Sequence, residues 1–189
     1  MYKYGEEISY SFELVGVGDY DSLQLFECTN ERLDRHIRED IIQNNVVMNE
    51  DGLYFKFVDT YRDKIISIVS LASSGIIYKV DNYTHVLPAI KIDVLAVDKE
   101  YQKLHYDEAS MNSAEPNEHY YFSDEIIGVV ISHCRKISEE YALADYVILY
   151  ADKKAYRYYE RNGFLDYSEF MIRENNQEVS KNIPMYLEL

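Results

Sequence analysis

The stretch from Asp145 to Phe164, DYVILYADKKAYRYYERNGF, constrains the fold more than any other part of the chain. Val147, Ile148 and Leu149 between tyrosines form an apolar run too short for a helix and rich in strand formers, which predicts a strand over 146–150. A turn at Ala151-Asp152 follows. With Asp152 as N-cap, good helix formers from Lys153 onward and Asn162-Gly163 as a stop, the next segment reads as a short basic and aromatic helix. A strand feeding such a helix can wall a cleft. From spacing alone, tyrosines so placed read most simply as core packing.

Around that unit the chain alternates between strand and helix patterns. Tyr10 to Val17 reads as an opening strand closed by Gly16 and Gly18. Cys28 to Asn44 reads as an amphipathic helix with Leu33, Ile37 and Ile41 at four-residue spacing and Arg32, Arg35, Glu39 and Asp40 on its other face. Asn49-Glu50-Asp51-Gly52 is a turn cluster. Leu53–Val58 and Ile65–Leu71 read as a hairpin about Thr60-Tyr61-Arg62-Asp63. Ser73-Ser74-Gly75 and the segment to Pro88 read as irregular or partly extended. Ala89–Val97 alternates on Ile90, Ile92 and Val94 and then turns apolar throughout, a change near Leu95 that would suit a bulge in a central strand.

From Asp98 to Phe122 the sequence is polar, acidic and without period. Ser123 or Asp124 then caps a long helix to about Ala144, with Ile126, Ile127, Val130, Cys134, Ile137 and Tyr141 on its buried side. Asp166–Ile172 reads as a strand, Glu174-Asn175-Asn176 as a turn and Pro184–Leu189 as a last strand. With neither repeats nor linker-like segments, the pattern implies one α+β domain over residues 1–189 with a mixed sheet.

Charge and cysteine usage narrow the function. The chain carries 34 acidic and 19 basic residues, a formal net charge of −15. Such a field repels phosphate backbones, so nucleic acid is disfavoured as the main partner. Lys153, Lys154, Arg157 and Arg161 form the one small basic concentration. Cys28 and Cys134 lie far apart, and His105, His119 and His133 match no ligand spacing, so reduced thiols and no metal are expected. No apolar run is long enough to span a bilayer and no secretory leader is visible, which makes the cytoplasm the default expectation.

Three segments in order carry a resemblance. They are IDVLAVDKEYQ (Ile92–Gln102), the long helix, and an A-x-x-x-Y-x-x-x-G-F pattern supplied by Ala155, Tyr159, Gly163 and Phe164. Together they resemble the GNAT superfamily of acyl-CoA-dependent N-acyltransferases. Phe26-Glu27-Cys28 with Leu33 and Ile37 is similar to the early helix of bacterial members related to toxin acetyltransferases, and Ile183–Leu187 to their last strand. The resemblance implies a mostly antiparallel sheet of six or seven strands flanked by helices, with splayed central strands. It implies acetyl-CoA as co-substrate, with the backbone of Leu95, Ala96 and Val97 bonding the pantetheine arm. Gln102, Lys103, Ser123 and Asp152 fall where further cofactor contacts are expected. Tyr159 matches the tyrosine that protonates the departing thiolate. A phenol near pKa ~10 can donate to a thiolate whose acid sits near ~8.5. Asp93 and Asp98 are both candidates for taking the proton of the acceptor amine.

The chain departs from the family pattern after Gln102. The expected glycine-rich pyrophosphate loop lacks glycine, and an acidic insertion over 103–122 with Asp107, Glu108, Glu115 and Glu118 takes its place. Glycines there would let backbone N–H groups approach phosphate. Two readings follow. Either the insertion folds outward and acetyl transfer to a small-molecule or peptide amine persists, or the fold has lost CoA and serves as an interaction module. Assembly into a homodimer stays open.

Overall fold

The computed structural model describes residues 2–3, 6–47, 52–113, 120–141, 143–168 and 181–189. In chain order the strands are β1 (Tyr2–Lys3), β2 (Glu6–Glu7), β3 (Tyr10–Leu14), β4 (Leu53–Asp59), β5 (Lys64–Val80), β6 (Tyr83–Val97), β7 (Tyr146–Ala151), β8 (Leu165–Asp166) and β9 (Ile183–Glu188). The α-helices are α1 (Tyr20–Gln24), α2 (Glu31–Arg35), α3 (Glu108–Asn112), α4 (Phe122–Glu140) and α5 (Tyr156–Arg161), and a π-helix runs over His36–Val47. Seven strands form one sheet in the order β3-β4-β5-β6-β7-β9-β8, mixed and mostly antiparallel, as expected of a GNAT-like α+β fold. The chain divides into two compact units, Met1–Ser70 with Val94–Ile127 and Leu71–Asp93 with Gly128–Leu189.

In the first unit β3 pairs antiparallel with β4, from Tyr10↔Asp59 to Leu14↔Phe55. Phe12 lies 4.6 Å from Phe57 and stacks at 5.1 Å on Phe55, the kind of cross-strand aromatic packing that stabilises a ladder. The opening strand stops at Leu14 rather than Val17. Gly16 N–H donates to Asp19 Oδ2 at 2.7 Å, and a short 3₁₀ turn over Val17–Asp19 takes the chain away from the sheet. The core of this unit gathers Leu23, Phe26, Ile37, Ile41, Tyr54, Ile65, Ile68, Val94 and Ala96.

The helix expected over Cys28–Asn44 starts later and changes pitch. Asn30 caps α2, its side chain accepting from Arg32 N and Leu33 N. Buried Asp34 accepts the Cys28 amide at 2.6 Å, so residues 28–30 belong to the cap and not to the helix. From His36 the hydrogen bonding widens to the π form, and Ile37 and Ile41 are fully buried.

In the second unit the segment around Ser73-Ser74-Gly75, expected to be irregular, is part of a long ribbon of β5 and β6. It turns at Asp81-Asn82, with Asp81 at φ 53°. Gly75 makes the close pairing possible, since a Cβ there would sit 2.6 Å from Val86 Cγ1. β7 pairs parallel with β6 over Ala89–Ile92 and Tyr146–Leu149, and antiparallel with β9 from Tyr146↔Glu188 to Ala151↔Ile183. β8 pairs with β9 at Leu165↔Tyr186 and Asp166↔Met185. The strand expected over Asp166–Ile172 is described only at its start; residues 169–172, the turn at 174–176 and most of the 49–52 cluster lie outside the described residues.

α4 begins one residue before the expected Ser123 or Asp124 cap. Phe122 is its first residue, so Tyr121 holds the cap position and Asp124 the third position of the helix. It ends at Glu140, and Tyr141, expected on the buried side, is 81% exposed because it lies past the last helical turn.

Candidate functional site

Of the residues expected to act, the backbone of Leu95–Val97 and the start of α4 lie in the first unit and Tyr159 in the second. β6 is buried on Ile90, Ile92, Val94 and Ala96, with Leu95 and Val97 half-buried on the other face. That alternation runs unbroken past Leu95, where a bulge was expected. Asp98 N donates to Ile66 O at 2.8 Å and Ser67 Oγ donates to Ala96 O at 2.8 Å, so alternate groups face β5. The N–H and C=O of Leu95 and Val97 therefore point to the opposite edge. The β6–β7 ladder stops at Ile92↔Leu149, although β6 runs on to Val97 and β7 to Ala151. Among the described residues no strand pairs with Leu95 or Val97 on that edge.

After β6 the chain turns sharply. Asp98 is 1% exposed, accepts Glu100 N at 3.0 Å and Lys64 Nζ at 3.2 Å on Oδ1, and accepts Glu27 N on Oδ2 at 3.4 Å. Its oxygens are committed to the turn, which argues against it as proton acceptor. Asp93 differs. Its side chain is 35% exposed and faces Lys91 Nζ at 2.8 Å. Gln102 Nε2 donates to Cys28 O at 2.8 Å and Val97 O at 2.9 Å, so the donors expected to reach a cofactor clamp the end of β6. Lys103 is exposed and makes no ion pair among the described residues.

The insertion is folded where it is described. His105 bridges Tyr121 in antiparallel fashion, Tyr106 N donates to Tyr120 O at 2.8 Å, and Phe122 N donates to Leu104 O at 2.8 Å. Ser110, buried, accepts Tyr120 N at 2.6 Å and donates to Tyr120 O at 2.9 Å. Asp107 caps α3. Glu115, Glu118 and His119 lie outside the described residues. Ser123 is buried in the first turn of α4. Next to it Asp124, 3% exposed, accepts Tyr121 N on Oδ2 at 2.9 Å, and Tyr10 Oη donates to Glu125 Oε1 at 3.0 Å. Those carboxylates, with burial as the larger cause, push the Tyr120 phenol up to about 12.

The second unit holds Tyr159. Asp152 heads a turn rather than the helix itself: Oδ1 accepts Lys154 N at 2.8 Å, its carbonyl accepts Ala155 N, and α5 starts at Tyr156 with Ala155 as cap. At the other end Phe164 N donates to Tyr159 O at 3.1 Å and Gly163 N to Glu160 O at 3.1 Å. This is a Schellman motif, with Gly163 at φ 89° in the left-handed position. The same motif brings its flanking apolar residue onto the last turn, and Phe164 meets the Tyr159 ring edge-on at 5.7 Å. The spacing Tyr-x-x-x-Gly-Phe is thus a device that fixes one ring. Tyr159 is buried, and desolvation raises its phenol above the ordinary range. Among the described residues its hydroxyl has no hydrogen-bond partner.

No family model and no curated protein matches the sequence. Solved structures do match in fold. One described as a bacterial toxin superposes with a TM-score of 0.70 at 17% identity, over 96% of this chain and 92% of that one. AtaT complexed with acetyl-methionyl-tRNAfMet gives 0.66 at 14% identity, over 95% of each chain. A tyrosine-to-phenylalanine mutant of AtaT, bound to the C-terminus of the antitoxin AtaR and to acetyl-CoA, gives 0.65 at 14% identity, over 95% and 92%. At such identities the likeness is one of fold. The fold is GNAT-like and resembles that of the AtaT toxin and of KacT.

Proposed function

We propose that this chain is an N-acyltransferase that moves an acetyl group from acetyl-CoA to a primary amine by direct attack. The observation that carries the reading is Tyr159: a buried phenol, fixed by the Schellman motif, kept protonated by its surroundings and with a donor that no described residue uses. That hydroxyl is available to donate to a departing sulfur. In the first unit, the edge of β6 at Leu95, which no described strand covers, offers backbone groups of the kind an extended amide arm can bond.

In the proposed step the amine nitrogen attacks the thioester carbonyl, forming a C–N bond and a tetrahedral oxyanion. Collapse breaks the C–S bond, and Tyr159 gives its proton to the sulfur. The ammonium proton of the adduct passes to Asp93 or to water and is returned through solvent to the Tyr159 phenolate, so that neutral amide and thiol leave and both side chains regain their starting protonation. Asp93 is preferred to Asp98 because Asp98 is already committed to Lys64 and two backbone amides.

For the acceptor, charge is the guide. AtaT is seen with an aminoacylated tRNA, but at −15 this chain repels polyanions, and a small amine or a peptide or protein amine suits it better. A second reading is a non-catalytic interaction module on the same fold, favoured by the glycine-free, self-capped start of α4. Calorimetric titration with acetyl-CoA separates the two. Saturable binding supports the transferase, whereas no heat at millimolar ligand favours the module.

A further inference from the structure

The two ends of a CoA thioester would meet very different surroundings on this chain. The β6 edge at Leu95–Val97 is paired with no described strand, its Val97 carbonyl alone being taken, by Gln102 Nε2 at 2.9 Å, so backbone groups there can meet an extended amide arm. The start of α4, where a pyrophosphate would ordinarily find unpaired amides and a positive helix end, differs. Phe122 N–H is taken by Leu104 O at 2.8 Å, Tyr121 N–H by Asp124 Oδ2 at 2.9 Å, and Asp124 N–H by Tyr121 O at 2.9 Å. Two carboxylates already stand in the first turn, and one of them is buried. Asp124 at 3% exposure is held by the cap it makes, and Glu125 by Tyr10 Oη at 3.0 Å. Gln102, whose amide could otherwise donate to phosphate, points both its bonds at Cys28 O and Val97 O. The described parts of the segment between bond to one another, through Ser110 with Tyr120 and through the His105–Tyr121 bridge. A phosphate arriving here would face fixed negative charge in a spot already capped.

We infer that this protein recognises its donor as an acyl-pantetheine thioester, and that Asp124 acts as a built-in anion that denies the nucleotide end of CoA a place on α4. The inference rests on the acyltransferase reading and sharpens its donor class. The donor's phosphates contribute no net affinity, so a thioester lacking them binds about as well as acetyl-CoA itself.

The test is calorimetric titration of the full chain with acetyl-CoA, S-acetylpantetheine and adenosine 3′,5′-bisphosphate, for the natural protein and for Asp124→Asn. The asparagine amide oxygen can still accept Tyr121 N–H, so the cap survives while its charge is removed. The expected result is that the two thioesters bind within about threefold of each other and the bisphosphate does not bind. Asp124→Asn then tightens acetyl-CoA by about fivefold and leaves S-acetylpantetheine unchanged, the size expected for one charge at a helix start. Glu125→Gln, which keeps an acceptor for Tyr10, shifts acetyl-CoA in the same direction. Acetyl-CoA binding more than tenfold tighter than S-acetylpantetheine, or saturable binding of the bisphosphate alone, overturns the inference and leaves the acyltransferase reading standing. Binding of neither thioester overturns both.

Discussion

Replacing Tyr159 by phenylalanine removes one oxygen from a ring held by Gly163 and Phe164, so little else should move. Loss of a positioned acid typically costs 10²–10⁴ in rate. Tyr159→Phe is therefore expected to lower turnover about 10²-fold while donor affinity measured by calorimetry stays within twofold. Ser70 offers a contrasting case. Its hydroxyl is buried and has no partner among the described residues. Exchanging it for alanine removes an unpaired polar group, and thermal or urea unfolding should show Ser70→Ala to be as stable as the natural protein or about 1 kcal/mol more so. A loss above about 1 kcal/mol would mean that the hydroxyl has a partner in solution.

At the scale of elements, the stop of α5 was the most legible part of the chain, because every interaction that sets it is local, whereas its start falls three residues after the expected Asp152 cap. Asn162-Gly163-Phe164 encodes the left-handed C′ residue and the apolar residue after it, and both fall where the structure has them. Gly163→Ala forces a Cβ into the left-handed region at a cost of about 1–2 kcal/mol. It should lower the unfolding midpoint and, by loosening the Tyr159 ring, depress turnover beyond the stability loss. The Cys28–Asn44 helix was less legible. The apolar spacing located Ile37 and Ile41 in the core, but neither the Asn30 cap with Asp34 folded back on Cys28 nor the widening at His36 follows from a four-residue period. The ribbon from Leu71 to Pro88 was missed for a different reason. Ile77, Val80, Tyr83 and Val86 are exposed, so no face is buried to write an alternating pattern into the sequence. Gln102 and Asp98 could not be read as clamps because their partners, Cys28, Lys64 and Glu27, are remote in sequence. The bulge expected at Leu95 rested on an apolar run that the strand resolves by half-burying its second face.

At the scale of the whole molecule, buried neutral phenols and thiols set a common dependence on pH. Tyr10, Tyr101 and Tyr159 are raised by burial, as is Cys134, whose thiol is pushed up to about 12. Each group is neutral in both states below its unfolded value, near ~8.5 for a thiol and ~10 for a phenol. As pH rises past those values the unfolded chain releases protons that the folded chain keeps, so stability is full below about pH 8 and falls through pH 9–11. Thermal melts across that range should show a steady decline, and Cys134→Val should flatten its first part. A melting temperature that does not change up to pH 11 would contradict the burial of these groups.

The role proposed for Tyr159 is to donate a proton to a departing thiolate. Thiol release from acetyl-CoA against a panel of polyamines, peptide N-termini, lysine peptides and aminoacyl-tRNA, with mass spectrometry of the products, tests it most directly. An acetylated amine is expected from at least one class with the natural protein, and about 10²-fold slower release with Tyr159→Phe at unchanged donor affinity. Equal rates for the two proteins, or thioester binding with no amine acetylated by either, would contradict it.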